Sequence, residues 1–207
     1  MFGIKRFMEE ELWNWRIAFV IVLVALPNLA VAGPFGLEMG MSHQVITADA
    51  EEIAPNVYRK NELPKKSTLF EIYIVQSTSE TGLCYLKGVG KDIRVNDFGS
   101  AMRSEFEGLV RLLERKYGTP QKQYDFVRDG SIGDDPEDFM MSLYKGDRFL
   151  AALWENSEAQ SLPDSLQTIG VGASALSTNT GYIWLEYYFL NHDECQRIIE
   201  AKKSDVP

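Results

Sequence analysis

One run of helical periodicity stands in a chain otherwise written in strand alternation, and that contrast constrains the fold most. Between Asp97 and Tyr117, the residues Phe98, Met102, Phe106, Leu109, Leu113 and Tyr117 recur at steps of three and four. That spacing lines one stripe of an α-helix. Asn96 or Asp97 suits its start, and Gly118 ahead of Thr119-Pro120 suits its end. A stripe of this shape is expected to lie across a sheet and fill its core.

The strand signals surround it. In segment 69–76, Phe70, Ile72 and Ile74 alternate with Glu71, Tyr73 and Val75, and turn residues follow from Ser77 to Gly82. Leu83 to Val95 returns as a second strand, with a bulge expected at Gly88 and Gly90. Gln121–Val127 reads as a strand. Phe139–Lys145 and Arg148–Glu155 read as a pair joined by Gly146-Asp147, a sequence suited to a type II′ turn. In the strand 167–176, Ile169, Val171, Ala173 and Ala175 share one face, while Gly170, Gly172 and Ser174 leave room on the other. Tyr182 to Leu190 forms an aromatic last strand. Pro55 and Pro64 bracket a loop-like stretch. Short helices are expected from Ser42 to about Ala50, with Val45 and Ile46 inward, and from Asp193 to Lys203, with Ile198 and Ile199 inward. The sum is an α+β fold: a largely antiparallel sheet with one long helix and two short helices packed on it. The order helix-then-strands occurs twice, which suggests that the single domain 33–207 consists of two degenerate helix-plus-sheet repeats.

Residues 1–32 belong to a different regime. Lys5, Arg6 and Arg16 precede an unbroken apolar run, Ile17–Leu26, and Ala30-Val31-Ala32 then presents small side chains before Gly33. This is the order of a secretory signal, with cleavage expected between Ala32 and Gly33. A retained anchor is the alternative, favoured by Trp13 and Trp15. Against it, Ile17–Ala32 is interrupted by Pro27-Asn28 and falls short of the about 20 apolar residues that span a bilayer. Glu9-Glu10-Glu11 cancels the basic residues of the leader and weakens any orientation bias. The junction carries no cysteine, so it is not a lipoprotein site. The expected location is the periplasm or the exterior.

The two cysteines, Cys84 and Cys195, then read as a disulfide, since an even count in an exported chain favours pairing. Formal net charge is −9, which argues against binding a phosphate backbone or anionic lipid. Membrane contact would come only through an uncleaved leader.

Candidate chemistry is sparse. There is no G-x-S-x-G elbow, no C-x-x-C pair, and His43 and His192 are the only imidazoles. His192, beside Asp193 and Glu194, could serve as a general base. The acidic loop Asp129–Asp138 offers oxygens for calcium but lacks the alternating ligand pattern, and Asp134 with Glu186 could supply paired carboxylates. Gly88-Val89-Gly90-Lys91 is not a phosphate loop. Tyr182, Trp184, Tyr187, Tyr188 and Phe189 could stack on a ligand or simply alternate between core and cross-strand ladder. The reading is no catalytic residues, no metal and no cofactor.

The segment Phe35-Gly36-Leu37-Glu38-Met39-Gly40-Met41-Ser42 resembles the opening of small exported bacterial proteins. A similar step occurs in lipoproteins that assist outer-membrane-protein assembly and in the helix-plus-sheet repeats of secreted β-lactamase inhibitors. Gly82-Leu83-Cys84 and Tyr117-Gly118-Thr119-Pro120 resemble parts of an exported family without assigned activity. The resemblance implies an envelope protein and transfers no functional residue. The expected function is a non-catalytic module binding a protein partner in the envelope. A periplasmic hydrolase, or an inhibitor or immunity-type protein blocking an enzyme, is the alternative.

Overall fold

The computed structural model describes residues 33–131 and 135–204. The expected leader with Ala32, and Asp134 of the acidic loop, lie outside them. The strands are β1 (Glu51–Ala54), β2 (Val57–Lys60), β3 (Phe70–Thr78), β4 (Gly82–Gly90), β5 (Ile93–Arg94), β6 (Lys122–Val127), β7 (Arg148–Glu155), β8 (Leu166–Ser177) and β9 (Thr180–Phe189). The α-helices are α1 (His43–Thr47), α2 (Ser100–Tyr117), α3 (Phe139–Tyr144) and α4 (His192–Ser204). The fold is α+β, and every strand pairing is antiparallel.

The nine strands form one sheet, ordered β1-β2-β3-β4-β9-β8-β7-β6, with β5 on the end of β9. The order is symmetric about its centre. Each half runs helix then four strands, and the last strand of each half meets the other there, with Tyr85 opposite Tyr188 and Val89 opposite Trp184. The two leading helices sit correspondingly, α1 on β3 and β4, α2 on β8 and β9.

Period-two alternation decides which side is core. Tyr73, Val75, Leu86, Val171, Leu185 and Tyr187 are all buried, and they meet the α2 stripe of Met102, Phe106, Leu109, Leu113 and Tyr117 in one cluster. Trp154 is fully buried there, and its indole Nε1 donates to Gly118 O at 2.6 Å. Gly99 opens α2 in the left-handed region at φ 64°. A Cβ at that position would stand 2.1 Å from the Phe139 ring, so glycine is required for both conformation and space.

Several expectations are corrected. Phe139–Lys145 is not a strand but α3: Phe139, Met140 and Leu143 are buried, a helical spacing. Gly146 therefore ends a helix, donating to Leu143 O at 3.1 Å, rather than turning a hairpin. The short α-helices number three, not two, among the described residues. The stretch between Pro55 and Pro64 is loop only in its second part, because Pro55-Asn56 turns β1 into β2 (Val57–Lys60), with Asn56 at φ 62°. Phe98 precedes α2 and is 49% exposed, and Val45 is 59% exposed while Ile46 is buried. Ser42 stands at the N-cap of α1 without a side-chain bond; at α2 it is Asn96 Oδ1 that accepts from Ser100 N. Neither bulge falls at Gly88 or Gly90: one is at Glu71 on β3, across from Gly90, and the other at Cys84 on β4. An extra residue at Glu71 breaks the alternation, so Phe70 is buried on the same side as Tyr73 and Val75.

Candidate functional site

The second face of the sheet is built by the alternate residues, and α4 is the described helix that packs on it, against β3 and β4. The disulfide fixes α4 there. Cys84 and Cys195 are bonded, with Cα atoms 6.3 Å apart, and both are buried with Ile199 in a small cluster separate from the main core. Asn191 Nδ2, just before the helix, donates to Thr81 O and Leu83 O at 3.0 Å each. The Gln196 amide nitrogen donates to Gln76 Oε1 across the interface.

Beyond α4, the centre of this face is a polar and aromatic ladder across the β4–β9 pair. Lys87 stands opposite Glu186 and donates to Glu186 Oε1 at 2.7 Å, with side-chain exposures of 26% and 15%. Tyr188 Oη donates to Glu186 Oε2 at 2.8 Å. Lys87 Nζ lies 5.2 Å from the centroid of the Trp184 ring, within cation–π range. Tyr85 meets Tyr188 edge-on at 5.0 Å. Burial, and then the Glu186 carboxylate, hold the hydroxyls of Tyr85 and Tyr188 protonated well above the ordinary tyrosine range. Trp184 lies over the neighbouring strand because glycine leaves it room: a Cβ on Gly172 would sit 2.3 Å from the ring, and one on Gly170 3.4 Å. The room expected on that face of β8 is occupied from within.

His192 borders this ladder without a nucleophile beside it. Its ring meets Tyr188 at 4.9 Å and Tyr85 at 6.0 Å. Its Nε2 is 3.1 Å from Gln196 Nε2, and Nδ1 is 3.6 Å from Asp193 Oδ1. The amide can only donate, so the arrangement assigns the ring proton to Nδ1, toward Asp193. Burial lowers the pKa of His192, with Asp193 offsetting part of that. In the folded protein the ring therefore takes up its proton below the ordinary value of about 6.5. Between the two values the unfolded chain holds more protons, so stability is lost as pH falls from 6.5 toward the folded value. NMR titration should show the His192 ring titrating below the ordinary value, and His192→Gln should flatten stability across that window. A His192 ring titrating above 6.5 would contradict this placement.

The other candidates are dispersed. His43 Nδ1 contacts Ser77 O at 3.1 Å, under α1. Glu186 is engaged by Lys87 and Tyr188. Of the acidic loop, Pro136–Asp138 form a single 3-10 turn that leads into α3. Among the described residues no cluster of three or more His, Cys, Asp or Glu could hold a metal ion, and no helix is long and apolar enough to cross a membrane. Clefts of about 210 and 500 Å³ lie around Phe70 and Lys91, and one of about 420 Å³ opens beside Trp184; none has His192 in its wall. The ladder itself escaped the sequence reading, because Lys87 and Glu186 are opposite only once β4 is known to pair with β9. No family model matches the chain, and no curated protein or solved structure does either.

Proposed function

We infer that the protein acts by binding another protein through the sheet face that, among the described residues, α4 covers only in part, in the oxidising compartment beyond the inner membrane. One observation carries this: Trp184, Tyr188, Lys87 and Glu186 are half-buried and mutually positioned on a face that α4 covers only to one side. Tryptophan and tyrosine held in place by neighbours are the side chains that dominate binding energy in protein interfaces, and their order in the free protein reduces the entropy lost on docking. A paired lysine and glutamate among them give the surface orientation-dependent complementarity. The hydrolase alternative has no comparable support, since His192 is wedged between two tyrosine rings.

The compartment rests on the leader at residues 1–32 together with the Cys84–Cys195 bond. Mass spectrometry of the envelope species should find Gly33 at its N-terminus. A detergent-extracted species retaining Met1 would replace the released form by an anchored one.

Binding is tested by capture from envelope extract on immobilised protein, comparing the natural chain with Trp184→Ala/Lys87→Glu. The partner should be retained by the former and at least about tenfold less by the latter, the loss expected for removing interface hot spots. Equal retention by both would overturn the reading.

A further inference from the structure

The sheet is not continuous across its second half. β7 and β8 run in register from Glu155 opposite Thr168 to Ala151 opposite Gly172. Beyond that point β6 is the described strand that pairs with Phe149 and Leu150, through Phe126 and Asp125. Ala173, Ser174 and Ala175 pair only with β9. The two strands part, and the cleft of about 420 Å³ opens between these two stretches, bounded by Trp184 on one side and by Leu143, Tyr144 and Lys145 on another.

Three properties of the cleft point to one kind of occupant. It lies between two strand edges that have lost each other as ladder partners, the situation in which an extended segment adds its own main-chain hydrogen bonds. Its walls are apolar and partly small, with Ala151, Ala173 and Ala175 beside Phe149 and Trp184, and its volume falls near the low end of the about 300–1,000 Å³ typical of binding pockets. Its charged lining residues are Lys145 and Arg148, in a chain of net charge −9. Arg148 is engaged by Asp125 at 2.7 Å. Lys145 is exposed and has no acidic partner among the described residues. The mouth is therefore locally cationic.

We propose that this cleft is the anchor subsite of the binding face and takes an extended peptide segment in which a large apolar side chain is followed by a carboxylate. The apolar side chain enters between Phe149 and Trp184, and the carboxylate lies toward Lys145. The proposal rests on the protein-binding reading above and deepens it, because Trp184 belongs to both the ladder and the cleft wall.

The test uses the full chain with Trp13→Phe and Trp15→Phe, whose remaining tryptophans are Trp154, fully buried, and Trp184, half-exposed. Capped Ala-Phe-Asp peptide, titrated while Trp184 emission is followed, should give a saturable shift. Ala-Ala-Asp and Ala-Phe-Lys should bind at least about tenfold more weakly, as should Ala-Phe-Asp to Lys145→Glu and to the cleft-filling Ser174→Phe. No saturable shift, or equal binding to the natural chain and both variants, overturns the proposal. Partner capture separates this failure from that of the general reading. If Trp184→Ala/Lys87→Glu abolishes capture while Lys145→Glu and Ser174→Phe leave it intact, the face stands and the anchor assignment falls. If none of the four substitutions affects capture, both fall.

Discussion

Reduction of the Cys84–Cys195 bond is expected to lower the unfolding free energy by about 4–5 kcal/mol, on loop-closure bookkeeping for a separation of 111 residues. That is a large share of the about 5–15 kcal/mol that holds an ordinary domain together. The loss should be felt first in α4. Its fully buried side chains are few: Ile199 packs with the two cysteines, while half-buried His192 meets the Tyr85 and Tyr188 rings and polar ties run from Gln196 to Gln76 and from Lys202 to Glu80 at 3.2 Å. Exposed pairs of the latter kind contribute little. Urea unfolding with and without reductant, or of Cys84→Ser/Cys195→Ala, measures the global effect. Amide exchange should show α4 losing protection ahead of the sheet. An unchanged midpoint, or α4 amides as protected as those of β9 after reduction, would contradict the assignment of α4 as a staple-held layer.

Two tryptophans should behave in opposite ways. Trp154→Ala removes a fully buried side chain and its bond to Gly118 O, and a loss of about 3–5 kcal/mol is expected. Trp184 packs over Gly170 and Gly172 on the open face, where truncation leaves a dent open to solvent, not a sealed cavity. Its removal should destabilise by roughly 1 kcal/mol and weaken partner capture instead. Thermal unfolding of both variants checks the contrast. Comparable destabilisation by the two would place Trp184 in the core and remove it from the proposed surface.

Much of this architecture was legible because it depends on local periodicity. The α2 stripe from Met102 to Tyr117 and the alternation of β8 and β9 each imply a buried side whatever their neighbours are. The pairing of Cys84 with Cys195 is legible from their even number and the expectation of export. What failed had non-local or subtle causes. The Glu71 bulge puts Phe70 on the same side as Tyr73 and Val75, which strict alternation does not predict. Phe139, Met140 and Leu143 form a helical pattern too short to outweigh a neighbouring Gly-Asp that looked like a hairpin turn. Pro55 with Pro64 suggests a loop between them, although an asparagine able to adopt positive φ directly after Pro55 is also a tight-turn signal. The candidate surface was the least legible part. Its ladder joins residues from strands on either side of the sheet's centre, and its cleft exists because two strands diverge after Ala151 and Gly172.

The central claim is that function resides on the face bearing Lys87, Trp184 and Tyr188. Photocrosslinking in the intact envelope tests it most directly, with a benzophenone amino acid placed in turn at Ile74, Lys87 and Tyr188 on that face and at Leu112 on the exposed side of α2, which is 46% exposed. The expected result is one discrete adduct shared by the three face positions and absent from position 112. Adducts from position 112 alone, or none from the sheet positions, would contradict the account.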